Sequence, residues 1–160
     1  MKRLIIAATA LALSACATVP TLYQAALGPR AVGYSESRIE PDRYRVTFRG
    51  GPGAPASQVE DYALVRAAEL ALAGGFDWFR VADRRVEQLP DTSPRLGLGL
   101  GSADFGRRSA VGVDLGTSFS LGGGPAVVVS MEVLMGRGER PGDRGVYDAR
   151  AVRRTLGERI

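Results

Sequence analysis

The sequence predicts an α+β protein, with an antiparallel β-sheet that carries one main helix on one face and a short helix at its C-terminus. Apolar and polar residues alternate at 43–49 and again over 109–135, as expected for strands. Apolar residues at 57–73 recur at helical spacing. We therefore expect one sheet with the helix lying across one of its faces.

The first predicted element is a hairpin over residues 34–49. Tyr44, Val46 and Phe48 alternate with arginine and threonine, which predicts a half-buried strand with an arginine-rich outer face. Pro41-Asp42 supplies turn chemistry just before this strand. The residues that precede the turn then form the other arm.

The main helix is predicted over residues 57–73. Ser57 and Glu60 have the spacing of a capping box, in which each side chain binds a free backbone amide of the first turn. Gly74-Gly75 ends the helix. The residues predicted to face the sheet share helical spacing and are Val59, Ala63, Leu64, Ala67, Leu70 and Ala71.

Two shorter elements complete the predicted fold. Residues 76–87 begin with aromatic residues and follow two glycines too closely for a second helix, so we predict a strand under the main helix, with Trp78 and Phe79 in the core. Near the C-terminus, Asp148 is placed to cap a short helix that ends before Gly157.

A long hairpin is predicted over residues 109–135. Alternating apolar residues lie on both sides of three consecutive glycines, and a turn centred on Gly123 sets Phe119 opposite Val127. Every second residue from Val127 to Met135 then faces the core.

The same register sets Asp114 opposite Glu132, with their Cβ atoms about 5 Å apart. Two adjacent carboxylates can share a proton, bind a cation or act as acid and nucleophile in a hydrolase. The alternative is an outward face on which arginines neutralise both acids, and this is the interpretation that we favour.

The N-terminus has the pattern of a bacterial lipoprotein signal. Lys2 and Arg3 precede the apolar stretch Leu4 to Leu13, which is shorter than the roughly 20 residues that a membrane-spanning helix needs. The segment Leu13-Ser14-Ala15-Cys16 resembles a lipobox, which implies a diacylglyceryl thioether on Cys16, cleavage before it and an acyl chain on its amine. Because each buried CH₂ contributes about 0.8 kcal/mol, three such chains form a lasting anchor.

This pattern divides the chain into a signal peptide (1–15), a lipidated tether (16–32) and a single α+β domain (33–160). No aspartate follows Cys16 directly. By resemblance to the enterobacterial sorting pattern, this favours the outer membrane, with the domain facing the periplasm.

Composition argues against most catalytic classes. The chain has no histidine, its one lysine leaves with the signal peptide, and its one cysteine is Cys16. The mature sequence therefore lacks histidine, the usual proton shuttle, and lysine and a free cysteine, the usual covalent nucleophiles other than serine. It also lacks the usual zinc ligands, histidine and free cysteine. We predict no catalytic residue, no metal and no cofactor. The formal net charge of +4 falls when Lys2 and Arg3 are removed, so it does not indicate nucleic-acid binding.

The run from Gly97 to Gly101 does not indicate a phosphate-binding loop. A dinucleotide fingerprint needs a third glycine where Ser102 stands, and a P-loop needs a lysine. We interpret this run as a loop.

An arginine row is the main candidate for binding. Arg43, Arg45 and Arg49 lie on the outer face of one predicted strand, where guanidinium groups can bind phosphates or carboxylates through paired hydrogen bonds. The same row also suits a solvated edge that prevents aggregation.

Several segments of this chain resemble a family of small proteobacterial lipoproteins of unknown function. The shared features are the lipobox, a tyrosine-rich strand, the Arg-Ala-Ala-Glu-Leu helix and the aromatic strand after it. The segments are Gly33 to Glu36, Tyr44 to Gly50, Arg66 to Ala71, Gly75 to Phe79 and Tyr147 to Arg150. The resemblance implies a lipoprotein with this fold and transfers no site residue.

The expected function is that of a non-catalytic cell-envelope lipoprotein that binds or scaffolds another envelope component. The partners expected are the membrane, through Cys16, and an envelope protein or an anionic glycan or lipid. The alternatives are a hydrolase that uses Asp114 and Glu132, and an accessory subunit of a larger envelope complex.

Overall fold

A computed structural model describes residues 20–90 and 124–160, together with the backbone of two short strands at 95–97 and 118–120. The strands are β1 (Gly33–Glu40), β2 (Arg43–Pro52), β3 (Trp78–Gln88), β4 (Arg95–Gly97), β5 (Ser118–Ser120), β6 (Ala126–Gly136) and β7 (Val146–Asp148), and the helices are α1 (Ala56–Ala73) and α2 (Ala149–Gly157). No helix in these ranges is long and apolar enough to cross a membrane.

Five of the strands form one antiparallel sheet in the order β1-β2-β6-β3-β7. The main helix α1 packs on one face of the sheet, and the short helix α2 packs against α1. The predicted α+β class is therefore confirmed, as are the early hairpin and the strand that follows α1.

The core lies between α1 and the three inner strands of the sheet, β2, β6 and β3. Along β6, every second residue from Val127 to Met135 is buried, as the alternation predicts. Val46 and Phe48 of β2 and Phe79 of β3 are buried beside them. Of the helix residues predicted to face the sheet, Leu64 and Leu70 are partly buried and the other four are buried. Tyr62, Val65 and Ala68 are buried in addition, so most of the buried helix residues are alanines. Small residues let the helix approach the sheet closely.

The predicted capping box does not form. The helix starts at Ala56, its N-cap is Pro55, and no side chain caps it. Glu60 does not reach back to the first turn, because its carboxylate accepts a 2.9 Å hydrogen bond from Arg84 on β3. At the second helix the predicted cap is present, since Asp148 accepts from the amide of Ala151 at 2.7 Å.

The predicted long hairpin is wrong, because the neighbours of β6 are strands distant in the sequence. β6 pairs with β2 on one side and with β3 on the other, which leaves it no free edge for residues 109–121. Phe119 lies opposite Leu96 in the separate pair formed by β4 and β5, and not opposite Val127. Most of the predicted first arm, and the glycine run after Gly97, lie outside the described residues.

Residues 21–32 run along the domain, which corrects the spacer predicted for this part of 16–32. Ala25 bridges Tyr34 at the outer edge of β1, and the amide of Gly51 donates to Thr21 Oγ1 at 2.9 Å. Tyr23 enters an aromatic cluster with Tyr34, Phe48 and Tyr62. The burial of Tyr23 explains why this stretch does not behave as a spacer.

Candidate functional site

The sheet face opposite the helices, here called the open face, carries the residues predicted for function. Successive side chains of a strand point to opposite faces, so the residues that alternate with the buried ones line this open face. From β2 and β6 they are Arg43, Arg45, Thr47, Arg49, Val128, Ser130, Glu132 and Leu134.

Glu132 lies at the centre of the open face and is held by two arginines. Its carboxylate is 3.5 Å from Arg43 Nη1 and 3.7 Å from Arg45 Nη2. Its cross-strand neighbours are Arg45 on β2 and Asp83 on β3. The predicted register between Glu132 and Asp114 is therefore wrong, and Asp114 itself lies outside the described residues.

A carboxylate between two guanidinium groups is suited to charge neutralisation. Arg43 also approaches Glu40 at 3.7 Å, so the acids and arginines here form a small network. Asp83, the acid opposite Glu132 on β3, likewise lies 3.3 Å from an arginine, Arg85. This arrangement favours the interpretation in which arginines neutralise the acids on an outward face of the sheet.

Arg49, the third predicted arginine, lies in a cleft at the end of the arginine row. The cleft has a volume of about 310 Å³ and lies between the open face and the segment that precedes β1. Its lining residues are Ala26, Gly28, Pro29, Ala31, Gly33, Ser35, Thr47, Arg49 and Val128. Arg49 forms no ion pair with any described residue, so its guanidinium is available for an anion.

Hydroxyl groups stand beside Arg49 in this cleft. Ser35 and Thr47 are directly opposite each other on β1 and β2, and Thr47 Oγ1 lies 3.3 Å from Ser130 Oγ. A guanidinium next to hydroxyl groups is a combination that binds phosphate or carboxylate oxygens. The three predicted arginines thus share one strand face, but only Arg49 is not already paired with an acid in the described structure.

A glycine makes the wall of the cleft possible. Gly33 has a φ of +132°, and a Cβ there would clash with the backbone carbonyl of Gln24. The segment can therefore turn back tightly onto β1. The tether that the sequence predicts over 16–32 does not include this wall, although Gly28-Pro29 is a turn signal within it.

The two aromatic residues of β3 are placed differently. Phe79 is fully buried, as predicted, and stacks on Tyr147 with 5.4 Å between the ring centroids. Trp78 is only partly buried and its ring lies over Gly136 on β6. Its indole nitrogen has no hydrogen-bond partner among the described residues.

The remaining predicted site residues, Leu13, Ser14, Ala15 and Cys16, lie outside the described residues. Within the described ranges no group of three or more acidic or cysteine side chains is arranged to hold a metal ion. No family model matches the chain, and no curated protein or solved structure matches it significantly.

Proposed function

We propose that this protein is a lipid-anchored, non-catalytic component of the bacterial cell envelope that binds an anionic group of another envelope component at the Arg49 cleft. The anchor is the acylated Cys16, and the domain faces the periplasm from the outer membrane. The group bound is a phosphate of a lipid headgroup or a carboxylate of an envelope glycan.

The cleft supports the binding part of the proposal. Arg43 and Arg45 share Glu132, whereas Arg49 faces a cavity of about 310 Å³ and has no acid partner among the described residues. An anion that enters this cavity meets one guanidinium and the Ser35 and Thr47 positions. The proposal depends on this one observation, that Arg49 lines the cleft and pairs with no acid in the described part of the chain.

The charges around Glu132 argue against the alternative of a hydrolase. A retaining mechanism needs two carboxyl groups about 5 Å apart, one of which stays free to attack. Glu132 instead lies within 4 Å of two arginines, and Asp83, the carboxylate opposite it on β3, lies 3.3 Å from Arg85, so both acids face arginines. We therefore propose binding without catalysis.

The anchor is tested by the mass of the intact protein purified from its native host. Expected is a chain that begins at Cys16 and carries the mass of three acyl chains and a glyceryl group. A chain that retains Met1, or a free thiol on Cys16, overturns the anchoring part of the proposal.

Anion binding is tested on the detergent-solubilised protein with two probes, which separate the two sources of the anion. The first is phosphatidylglycerol in mixed micelles, compared with phosphatidylcholine, and the second is purified peptidoglycan sacculi. Arg49→Ala is expected to weaken binding to one of these probes by about tenfold, since hydrogen bonds to charged groups are the strong ones.

Arg154→Ala is the matched control. Arg154 is an exposed arginine on α2, on the helix side of the domain, and the structure shows no ion pair between it and a described residue. Equal binding by Arg49→Ala and the unmodified protein, or equal losses in the two variants, overturns the proposed cleft.

A further inference from the structure

One long stretch of a sheet edge has no strand paired with it among the described residues. β7 pairs with β3 only along residues 78–80, and the register of β3 then shifts at a bulge around Ala82. Residues 82–88 are all exposed, and among the described residues they pair with β6 alone. Backbone groups on the outer side of this stretch are therefore available to another strand.

The direction of these backbone groups follows from one hydrogen bond. The amide of Leu89 donates to the carbonyl of Ala126 at 2.8 Å, so Leu89 points its backbone groups toward β6. In an antiparallel ladder this orientation alternates, which directs the backbone groups of Glu87 and Arg85 to β6 as well. The backbone groups of Arg84, Val86 and Gln88 point outward.

We propose that a second copy of this chain pairs with this edge, so that two β3 strands join antiparallel around a two-fold axis at Val86. Val86 then lies opposite Val86 of the second copy, and Arg84 lies opposite Gln88. These are the outward-pointing positions, so each pair exchanges backbone hydrogen bonds. Strand addition at an exposed sheet edge gains its affinity from such main-chain bonds.

The charges on the edge select this register. With Val86 on the axis, Arg85 of each copy lies opposite Glu87 of the other. If the two-fold axis lies at Arg85 instead, Arg85 faces Arg85 of the other copy and Asp83 faces Glu87. If the axis lies at Glu87, Glu87 faces Glu87 of the other copy. Like charges directly opposite each other destabilise strand pairs.

Glu87 and Arg85 are free to make these contacts. Glu87 forms no ion pair with a described residue. Arg85 approaches Asp83 at 3.3 Å, but both side chains are more than half exposed and such a pair contributes little. Charged residues on edge strands often prevent aggregation. Here Arg85 and Glu87 of one copy match Glu87 and Arg85 of another, so the charges favour pairing with a second copy of this chain over pairing with unrelated strands.

The opposite edge of the sheet is less suited to pairing. The outer side of β1 is already occupied at Tyr34 by residues 24–26, and Glu36 is held by Arg66 through two hydrogen bonds. In the proposed dimer the axis is perpendicular to the sheet, so both open faces, each with its Arg49 cleft, point to the same side.

Cysteine cross-linking tests the register in membranes of cells that make the full chain. Residues directly opposite in a hydrogen-bonded pair have Cα atoms about 5.5 Å apart, which is within disulfide range. Val86→Cys is expected to give a disulfide-linked dimer under mild oxidation. Gln88→Cys, a matched exposed position on the same edge, is expected to stay monomeric, as is the unmodified chain. A Val86→Cys chain that stays monomeric, or equal cross-linking of both variants, overturns the proposal.

Charge reversal tests the same pairing without a new cysteine. In the detergent-solubilised protein, Arg85→Glu and Glu87→Arg are each expected to weaken self-association by about tenfold or more in analytical ultracentrifugation, because each sets like charges face to face. The double variant restores opposite charges and is expected to recover the dimer. Failure of that recovery, or a monomeric unmodified protein at micromolar concentration, counts against the register or the dimer.

A proline at Val86 separates pairing from folding. The amide of Val86 points away from β6, so Val86→Pro removes no hydrogen bond inside the sheet and blocks only the outer edge. We expect a folded monomer, judged by circular dichroism and sedimentation. A Val86→Pro chain that still forms dimers overturns the proposal.

Discussion

The hydroxyl of Tyr23 donates a 2.6 Å hydrogen bond to Oε2 of Glu69 on α1. The same carboxylate accepts a 3.1 Å hydrogen bond from Arg66, and its other oxygen lies 3.2 Å from Arg153 on α2. Glu69 therefore connects the N-terminal segment, the main helix and the C-terminal helix. This network, together with the Ala25–Tyr34 bridge and the hydrogen bond to Thr21, holds residues 21–32 on the domain.

Tyr23→Phe tests the contribution of this hydrogen bond to stability. The change keeps the ring in its aromatic cluster and removes only the hydroxyl, so the free energy of unfolding is expected to fall by about 1–2 kcal/mol. Urea denaturation measures it. Tyr147→Phe is the control, since that hydroxyl has no hydrogen-bond partner among the described residues and the change is expected to cost less than about 0.5 kcal/mol. Equal effects in the two variants would show that the hydrogen bond contributes nothing.

The alkaline pH dependence of stability tests the same tyrosine. Burial, and then the hydrogen bond and charge of Glu69, raise the pKa of Tyr23 far above its ordinary value. This contribution to stability is complete below about pH 10, where the unfolded tyrosine is also neutral, and it is lost progressively above that pH. The difference in stability between the unmodified protein and Tyr23→Phe is expected to shrink as the pH rises above 10. A constant difference between pH 8 and 11 contradicts the assignment.

Gly136→Ala tests the packing of Trp78 on β6. A Cβ at position 136 would overlap the six-membered ring of the indole, so the ring has to move. We expect a loss of about 1–3 kcal/mol in thermal or urea unfolding. Combining it with Trp78→Leu is expected to recover part of that loss. Gly142→Ala is the control, because a Cβ there meets nothing within 4 Å.

Asp77→Asn tests how α2 is attached to the sheet. The amide of Gly138 at 2.8 Å and then Arg150 at 3.0 Å lower the pKa of Asp77. The contribution of the charged form is therefore present above about pH 4 and is lost as the pH falls below it. The melting temperature of the unmodified protein is expected to approach that of Asp77→Asn between pH 5 and 2. Asp61→Asn, which changes an acid with no ion pair to a described residue, is expected to follow the unmodified protein at every pH.

Glu132→Gln tests the balance of charges on the open face. The side chains are partly exposed, so loss of the ion pairs to Arg43 and Arg45 is expected to cost less than about 1 kcal/mol of stability. Arg45 then loses its acid and Arg43 keeps only Glu40, so binding of the anionic probe used for Arg49 is expected to tighten by about threefold. Glu139→Gln, at an exposed loop position, controls for the change in net charge. Weaker binding by Glu132→Gln would indicate that the carboxylate itself contacts the ligand.

Several elements follow directly from the residues. The alternation in β2 and β6 identified the buried side of each strand, and the spacing in α1 identified most of the residues that face the sheet. The prediction failed at Ser57, because a capping box competes with the ion pair that Glu60 makes across the fold to Arg84. It failed again at 21–32, where the packing of the partly buried Tyr23 outweighs a composition typical of linkers.

Local periodicity alone identified the side of each strand and helix that is buried. A repeat of two or of 3.6 residues places the apolar side chains on one side of the element, whatever that side packs against. The partner of each strand was decided by the tertiary structure. A three-glycine turn favours a hairpin between neighbours, but β6 pairs along its length with β2 on one side and with β3 on the other. That choice gave Glu132 two arginines and left Arg49 without a described acid partner, because cross-strand contacts depend on pairing between segments far apart in the chain.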